Sequence, residues 1–161
     1  MDINHFENLK SKINASVKGT IDSIKKAELN EFKNKVQDSI ETGLSPVEGK
    51  GRFVNYSASY QGAIKKNRYK NYNKKLRPVN LTLSGDMMKS LYVEKTNEGF
   101  IIGFKNKLAY IHTVLGAGKS KVIRKLLPQE GEYFSNSITS FLRKTVSESW
   151  LSAFNKNKNQ L

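Results

Sequence analysis

Gly116-Ala117-Gly118-Lys119-Ser120 is the run whose residue types come nearest to catalytic chemistry. A phosphate-binding loop wraps glycine backbone N–H groups around phosphates, and its lysine and serine reach the phosphates and Mg²⁺. The full pattern needs a glycine five residues before Gly118, where Thr113 stands. No Asp or Glu occurs between Glu98 and Glu130 to hold a cation, and Pro128 would cut the helix that should follow. The expectation is a basic glycine loop rather than a nucleotide site. His5 and His112 are the only histidines, and neither has a second ligand at metal spacing. His112, beside Tyr110 in an apolar stretch, reads as a packed or hydrogen-bonded residue. There is no cysteine, which excludes disulfides, thiolate metal sites and cysteine nucleophiles. No Gly-x-Ser-x-Gly elbow occurs, and the 14 acidic residues form no cluster. The sequence therefore predicts no enzyme, with no catalytic, cofactor-binding or metal-binding residue.

The strongest local signal is charge. From Gly49 to Gly85 there is no acidic residue, while Lys50, Arg52, Lys65, Lys66, Arg68, Lys70, Lys74, Lys75 and Arg77 are basic. Tyr56, Tyr60, Tyr69 and Tyr72 are interleaved with them. Cations neutralise phosphates and aromatic faces stack on bases, so the pattern fits single-stranded nucleic acid. It also fits docking on an acidic protein surface, where tyrosine and arginine anchor and lysine steers. A solvated basic loop is the third reading.

Elements must position these residues. Ile3, Phe6, Ile13, Val17, Ile21, Ile24, Phe32, Val36 and Ile40 fall at helical spacing, predicting one long amphipathic helix over 2–42 or two nearly collinear ones. Asp2 is the expected N-cap and Gly19 the expected weak point. Residues 43–82 lack clear periodicity and read as a long extended basic arm. A short helix is expected from Ser84. A β-hairpin should follow, Tyr92–Thr96 with Phe100–Phe104 around Asn97-Glu98-Gly99. Leu108–His112 reads as a short helix ending near Gly116, and Val122–Leu127 as a further strand closed by Pro128.

The last helix is expected from about Glu130 to Phe154, on the i+4 series Phe134, Ile138, Leu142, Val146, Trp150 and Phe154. Each such step advances about 40° past a full turn, so the stripe rotates too far for one flat core. Its early part should pack on the sheet. Its late part, Trp150, Leu151 and Phe154, is a candidate subunit interface, or else is covered by the N-terminal helix.

The fold class expected is α+β, with the N- and C-terminal helices packed on a small antiparallel sheet. The 161 residues form a single domain: 1–42 long helix, 43–82 arm, 83–128 short helices and hairpin, 129–155 last helix, 156–161 tail. Basic residues number 28 against 14 acidic, a net charge of +14, which attracts polyanions. No apolar run is long enough to span a bilayer, and the opening MDINHFENLK has no apolar signal core.

The order of the motifs adds a resemblance. Gly43-Leu44-Ser45-Pro46-Val47 precedes Gly51-Arg52-Phe53 and Tyr56-Ser57-Ala58-Ser59-Tyr60. Pro78-Val79-Asn80-Leu81-Thr82-Leu83-Ser84-Gly85-Asp86-Met87-Met88-Lys89-Ser90-Leu91 follows, then the hairpin, Ala109-Tyr110-Ile111-His112, Gly116 and Leu126-Leu127-Pro128. Over residues 43–130 this series resembles the small neck and tail-completion proteins of tailed bacteriophages. The resemblance implies a non-enzymatic ring subunit at the head–tail junction, located in the virion and assembled in the host cytoplasm. Its implied partners are copies of itself and other neck, connector or tail proteins, with non-specific DNA contact as a further role for the arm and no membrane. Leu83, Ser84, Gly85, Met88, Leu91, Tyr110, His112 and Pro128 are then scaffold rather than chemistry. A basic nucleic-acid-binding module is the alternative function.

Overall fold

The apolar stripe expected over residues 2–42 divides into two helices, α1 (Ile3–Ser23) and α2 (Lys26–Glu41), at Ile24–Lys25 and not at Gly19. Lys25 is extended (φ −76°, ψ 153°), and its backbone N–H donates to the Glu28 carboxylate at 2.6 Å. That bond satisfies an orphan donor and places an acid in the first turn, where the helix dipole favours it. The computed structural model describes residues 3–70, 72, 74–81 and 84–158, with side chains from Ser11 on except Lys12, Ile13, Asn157 and Lys158. Asp2, Leu83, the side chains of His5, Ile3, Phe6 and Ile13, and the end of the tail lie outside the described residues.

The remaining elements are α3 (Ala58–Lys65), α4 (Asp86–Lys89), β1 (Leu91–Thr96), β2 (Gly99–Phe104), α5 (Lys107–Tyr110) leading into a π-turn at Ile111–Leu115, and α6 (Asn136–Lys158). The fold is α+β, with β1 and β2 forming a two-stranded antiparallel sheet. Register runs from Leu91↔Phe104 to Thr96↔Gly99, and the turn is Asn97-Glu98.

Phe32 of α2, 1% exposed, meets the Phe100 ring at 5.6 Å and the Phe134 ring at 5.4 Å, both edge-on. This geometry suits the ring quadrupoles. Val36, Ile40, Met88, Leu91, Leu126 and Ile138 complete the same core, and Phe100, Ile102, Phe104, Phe141 and Leu142 pack against it. The early part of α6 thus joins this core, lying against α2 rather than directly on the strands as expected.

Its late part meets α1 across small residues. Ser16 and Thr20 of α1 are buried, as are Ser149 and Ala153 of α6. A Cβ on Gly19 would lie 3.3 Å from the Ala153 Cβ, so glycine permits this close approach. The Ser23 hydroxyl bonds the Thr20 carbonyl at 2.8 Å and reaches the Ser149 carbonyl at 3.5 Å. Of the two alternatives for this stripe, α1 covers the Ser149–Ala153 side, while Leu151 and Phe154 stay exposed.

Four local expectations are corrected. Residues 122–127 form no strand; only an isolated bridge joins Ala117 and Val122. Their polar groups are taken up otherwise: the Arg124 N–H donates to the His112 carbonyl at 2.8 Å, and the Ser45 hydroxyl to the Lys125 carbonyl at 2.7 Å. The last helix starts at Asn136, not near Glu130, because Phe134 bridges to Val47 and the Ser135 N–H donates to Pro46. It runs on past Phe154. The short helix expected from Ser84 begins at Asp86; Gly85 caps it at φ 84°, and the Ser84 hydroxyl donates to the Asp86 carboxylate at 2.6 Å. Residues 43–82 hold α3, capped by Ser57, and bury Phe53, Tyr56, Val79 and Leu81 in the core. The segment is pinned at both ends of α3 instead of running as an extended arm.

Candidate functional site

The basic residues singled out by sequence separate into three groups. Lys50 leaves the cluster and pairs with Glu132 at 3.6 Å, and Arg52 bridges backbone to backbone with Leu44. Lys65, Lys66, Arg68, Lys70, Lys75 and Arg77 are exposed at and beyond the C-terminal end of α3. Lys74 turns inward. The interleaved tyrosines are mostly spent on one another: Tyr56–Tyr60 centroids are 5.1 Å apart and Tyr60–Tyr69 5.2 Å. Tyr72 is exposed. A continuous stacking platform for bases is not formed.

Lys74 enters a pocket of about 630 Å³ walled by both long acid-free stretches of the chain. From the first come Asn55, Tyr56, Ser57, Tyr60, Lys74 and Leu81; from the second, Leu108, His112, Gly118, Lys119, Ser120 and Arg124. Met87 and Met88 of α4 close the floor. The glycine loop is held in shape by a tight turn. Gly116 has φ 80°, and a Cβ there would lie 2.1 Å from the Lys121 carbonyl oxygen, so only glycine fits. The Ala117 and Val122 backbones exchange hydrogen bonds at 2.9 and 3.1 Å, and no helix follows. The loop is therefore not a phosphate-binding loop of the strand–loop–helix kind, but it still presents Lys119 and Ser120 to the pocket.

Arg124, 5% exposed, is the centre of this pocket's wall. Its Nε and Nη2 donate to the Val54 carbonyl at 3.2 and 2.9 Å, and Nη2 also to that of Asn55 at 3.3 Å. Its Cζ lies 5.6 Å from the Tyr56 ring centroid, and Lys74 Nζ lies 4.5 Å from the same ring. Two cations share one aromatic ring, with no carboxylate in salt-bridge reach of either among the described residues. Burial pulls the Lys74 ammonium down to about 8, and Arg124 adds to the fall. Burial, reinforced by Arg124 and Lys74, lowers His112 to about 4. Burial lowers Arg124 itself and raises Tyr56; Tyr60 is pushed up to about 12 by burial and by its tyrosine neighbours. His112 Nδ1 is buried with no hydrogen-bond partner.

The residues read as scaffold are divided. Met88 and Leu91 are buried in the core, Ser84 and Gly85 border the pocket, His112 lines it, and Pro128 sits half-buried in a shallow groove with Tyr110. Tyr110 is 57% exposed. Leu108, Ile111, Val114 and Leu115 of the same segment are exposed with it, as is Ile123 beside the Ala117–Val122 bridge. On α6, Trp150 is half-buried and stacks on Phe154 at 6.2 Å, with Leu151 exposed between them. Among the described residues no cluster of His, Asp and Glu could hold a metal ion, and no helix is long and apolar enough to cross a membrane.

Sequence reasoning missed Arg124. Its signal was an arginine that, with Lys125, interrupts the apolar pairs Val122-Ile123 and Leu126-Leu127 in a stretch with no acid to pair it. Compared with protein-family models, curated proteins and solved structures, the chain matches none.

Proposed function

We propose that this protein is a structural, non-enzymatic subunit of a ring at the neck or tail-completion position of a tailed bacteriophage, a virion component held by contacts with its own copies and with neighbouring connector or tail proteins. The observation that carries the assembly role is the apolar surface of the α5 and π-turn segment. Leu108, Tyr110, Ile111, Val114 and Leu115 stand exposed within eight residues. Scattered exposed apolar residues are ordinary, but five within eight residues is a local concentration of the kind that interfaces use. Tyrosine and large aliphatic side chains are also the types enriched at the centres of such interfaces. Leu151 and Phe154 supply a second exposed group on α6. A subunit with two separate sticky faces can make head-to-tail contacts, which close into a ring when the rotation closes. The phage assignment rests on the ordered motif series of residues 43–130.

Sedimentation velocity and native mass spectrometry of the purified protein, alone and with phage neck proteins, test this reading. A concentration-dependent closed oligomer, or incorporation into a neck complex, is expected. Leu115→Asp should abolish that assembly while circular dichroism and thermal unfolding of the monomer stay close to those of the parent. A protein that is monomeric at every concentration and joins no particle overturns the proposal. A second reading, non-specific contact with DNA, is favoured by the exposed cations Lys65, Lys66, Arg68, Lys70, Lys75 and Arg77.

A further inference from the structure

Buried charges in proteins are paired, hydrogen-bonded or bound to ligands, because removing an ion from water is costly. In the pocket lined by Lys74 and Arg124 the two cations meet backbone carbonyls and an aromatic face, and neither is paired with an anion among the described residues. Among the described residues no Asp or Glu lines the pocket, since its walls come from the acid-free stretches 49–85 and 99–129 and from the two methionines of α4. The Arg124 bonds described go to neutral backbone carbonyls, and the Tyr56 ring face is the main electron-rich group near both cations. The site is positive, concave and without internal counter-charge. Its volume of about 630 Å³ falls within the usual span of small-molecule sites.

The lining also divides by chemistry. Lys119 stands at the rim, so the lining holds three cations, and Ser57 and Ser120 belong to the same lining. The lining also includes apolar side chains: Leu81, Met87, Met88 and Val122. Methionine side chains adapt to flat or irregular groups. An occupant must therefore carry a compact anion at one end and an apolar or flat body at the other. A dianion balances Lys74 and Arg124, whereas a monoanion leaves one of them uncompensated. With no carboxylate in the wall to hold a divalent cation, the protein cations are the groups that meet the occupant's charge.

We propose that this pocket binds a metal-free organic monophosphate, a phosphate monoester on an aromatic or otherwise apolar body, with Arg124 and Lys74 on the phosphate. Arg124 is held in place by its carbonyl bonds to Val54 and Asn55 and meets the anion without reorganising. Lys74 leaves the Tyr56 face to reach it, and Lys119 of the glycine loop closes the rim. The inference stands on the pocket alone and holds whether or not the protein forms a ring.

Calorimetric titration of the full chain with phenyl phosphate and with AMP, both in EDTA, is the test. The imidazole signals of His112 are followed by NMR in parallel. One saturable site is expected for both compounds, with His112 shifting in step. Inorganic phosphate, adenosine and benzoate should each bind about tenfold more weakly or worse, since each lacks one half of the match or one charge. Lys74→Met, which removes a desolvated cation and should fold, is expected to cost about tenfold or more in affinity; Lys119→Ala should cost less. Four results overturn the proposal: no saturable binding of either monoester, binding that requires Mg²⁺, benzoate binding as tightly as phenyl phosphate, or unchanged affinity in Lys74→Met. Binding confined to a single-stranded oligonucleotide would overturn it as well and assign the pocket to a nucleic-acid surface.

Discussion

His112 illustrates how one side chain records its surroundings. Its ring is buried, faces Arg124 and Lys74, and keeps Nδ1 without a hydrogen-bond partner. Each of these disfavours the imidazolium, and the group falls from 6.5 to about 4. In the unfolded chain the same ring takes up a proton near its ordinary value. Between these two values the unfolded state holds more protons, so this residue's contribution is lost as pH falls from about 6.5 towards 4 and is constant above. Urea unfolding across that window is expected to show a steeper acid loss for the parent than for His112→Gln. Curves that run parallel would mean the ring is solvated. Arg124 belongs to the same lesson. Its type and its acid-free neighbourhood were visible in the chain, but the pairing with Tyr56 and Lys74 joins residues far apart in sequence, and no local pattern reports such a meeting.

At the scale of elements, what could be read in advance was what neighbouring residues decide. The hairpin was legible because alternation in Tyr92–Thr96 and Phe100–Phe104 and the turn between them are local facts. The series along α6 was legible for the same reason, yet its start was not. Phe134 begins the i+4 spacing but is held outside the helix by its bridge to Val47, far away along the chain and invisible to periodicity. Residues 122–127 carry the β-branched and apolar side chains of a short strand, but Ser45 and His112 satisfy backbone groups that a neighbouring strand would have used. α3 escaped notice because none of its residues is fully buried, leaving a faint stripe.

Gly19 was readable as unusual but not as a contact. Placed against Ala153, it makes the α1–α6 seam sensitive to volume. Gly19→Leu is expected to destabilise the protein by about 1–3 kcal/mol through overpacking. Gly19→Ala should sit near neutral, because the gain in helix propensity, about 1 kcal/mol, offsets a tight 3.3 Å contact. Thermal unfolding of the two variants checks this; equal losses would place α1 away from α6.

For the whole molecule, the net charge of +14 is unevenly used. Six of the exposed cations lie between residues 65 and 77. If DNA is the polyanion that this face meets, neutralising six phosphates should give a log–log salt slope of about −5 on duplex DNA. The double variant Lys65→Gln with Arg68→Gln should reduce the slope by about 2. Filter binding or fluorescence anisotropy across a salt series measures it, and no binding at low salt removes the DNA reading. Leu115 carries no charge and the double variant removes no apolar side chain, so the double variant and Leu115→Asp should act differently, one on salt dependence and the other on association.

The meeting of Phe32 with Phe100 and Phe134 carries a consequence for the order in which the protein can come together. A lone two-stranded ribbon is barely self-supporting in water. Here the Phe100 ring of β2 rests on Phe32 of α2, delivered from the first third of the chain, and Phe32 is backed in turn by Phe134 from the last third. The ribbon is therefore a late structure: it has nothing to lean on until both ends of the polypeptide have been made, and a chain still emerging from the ribosome would hold its middle open.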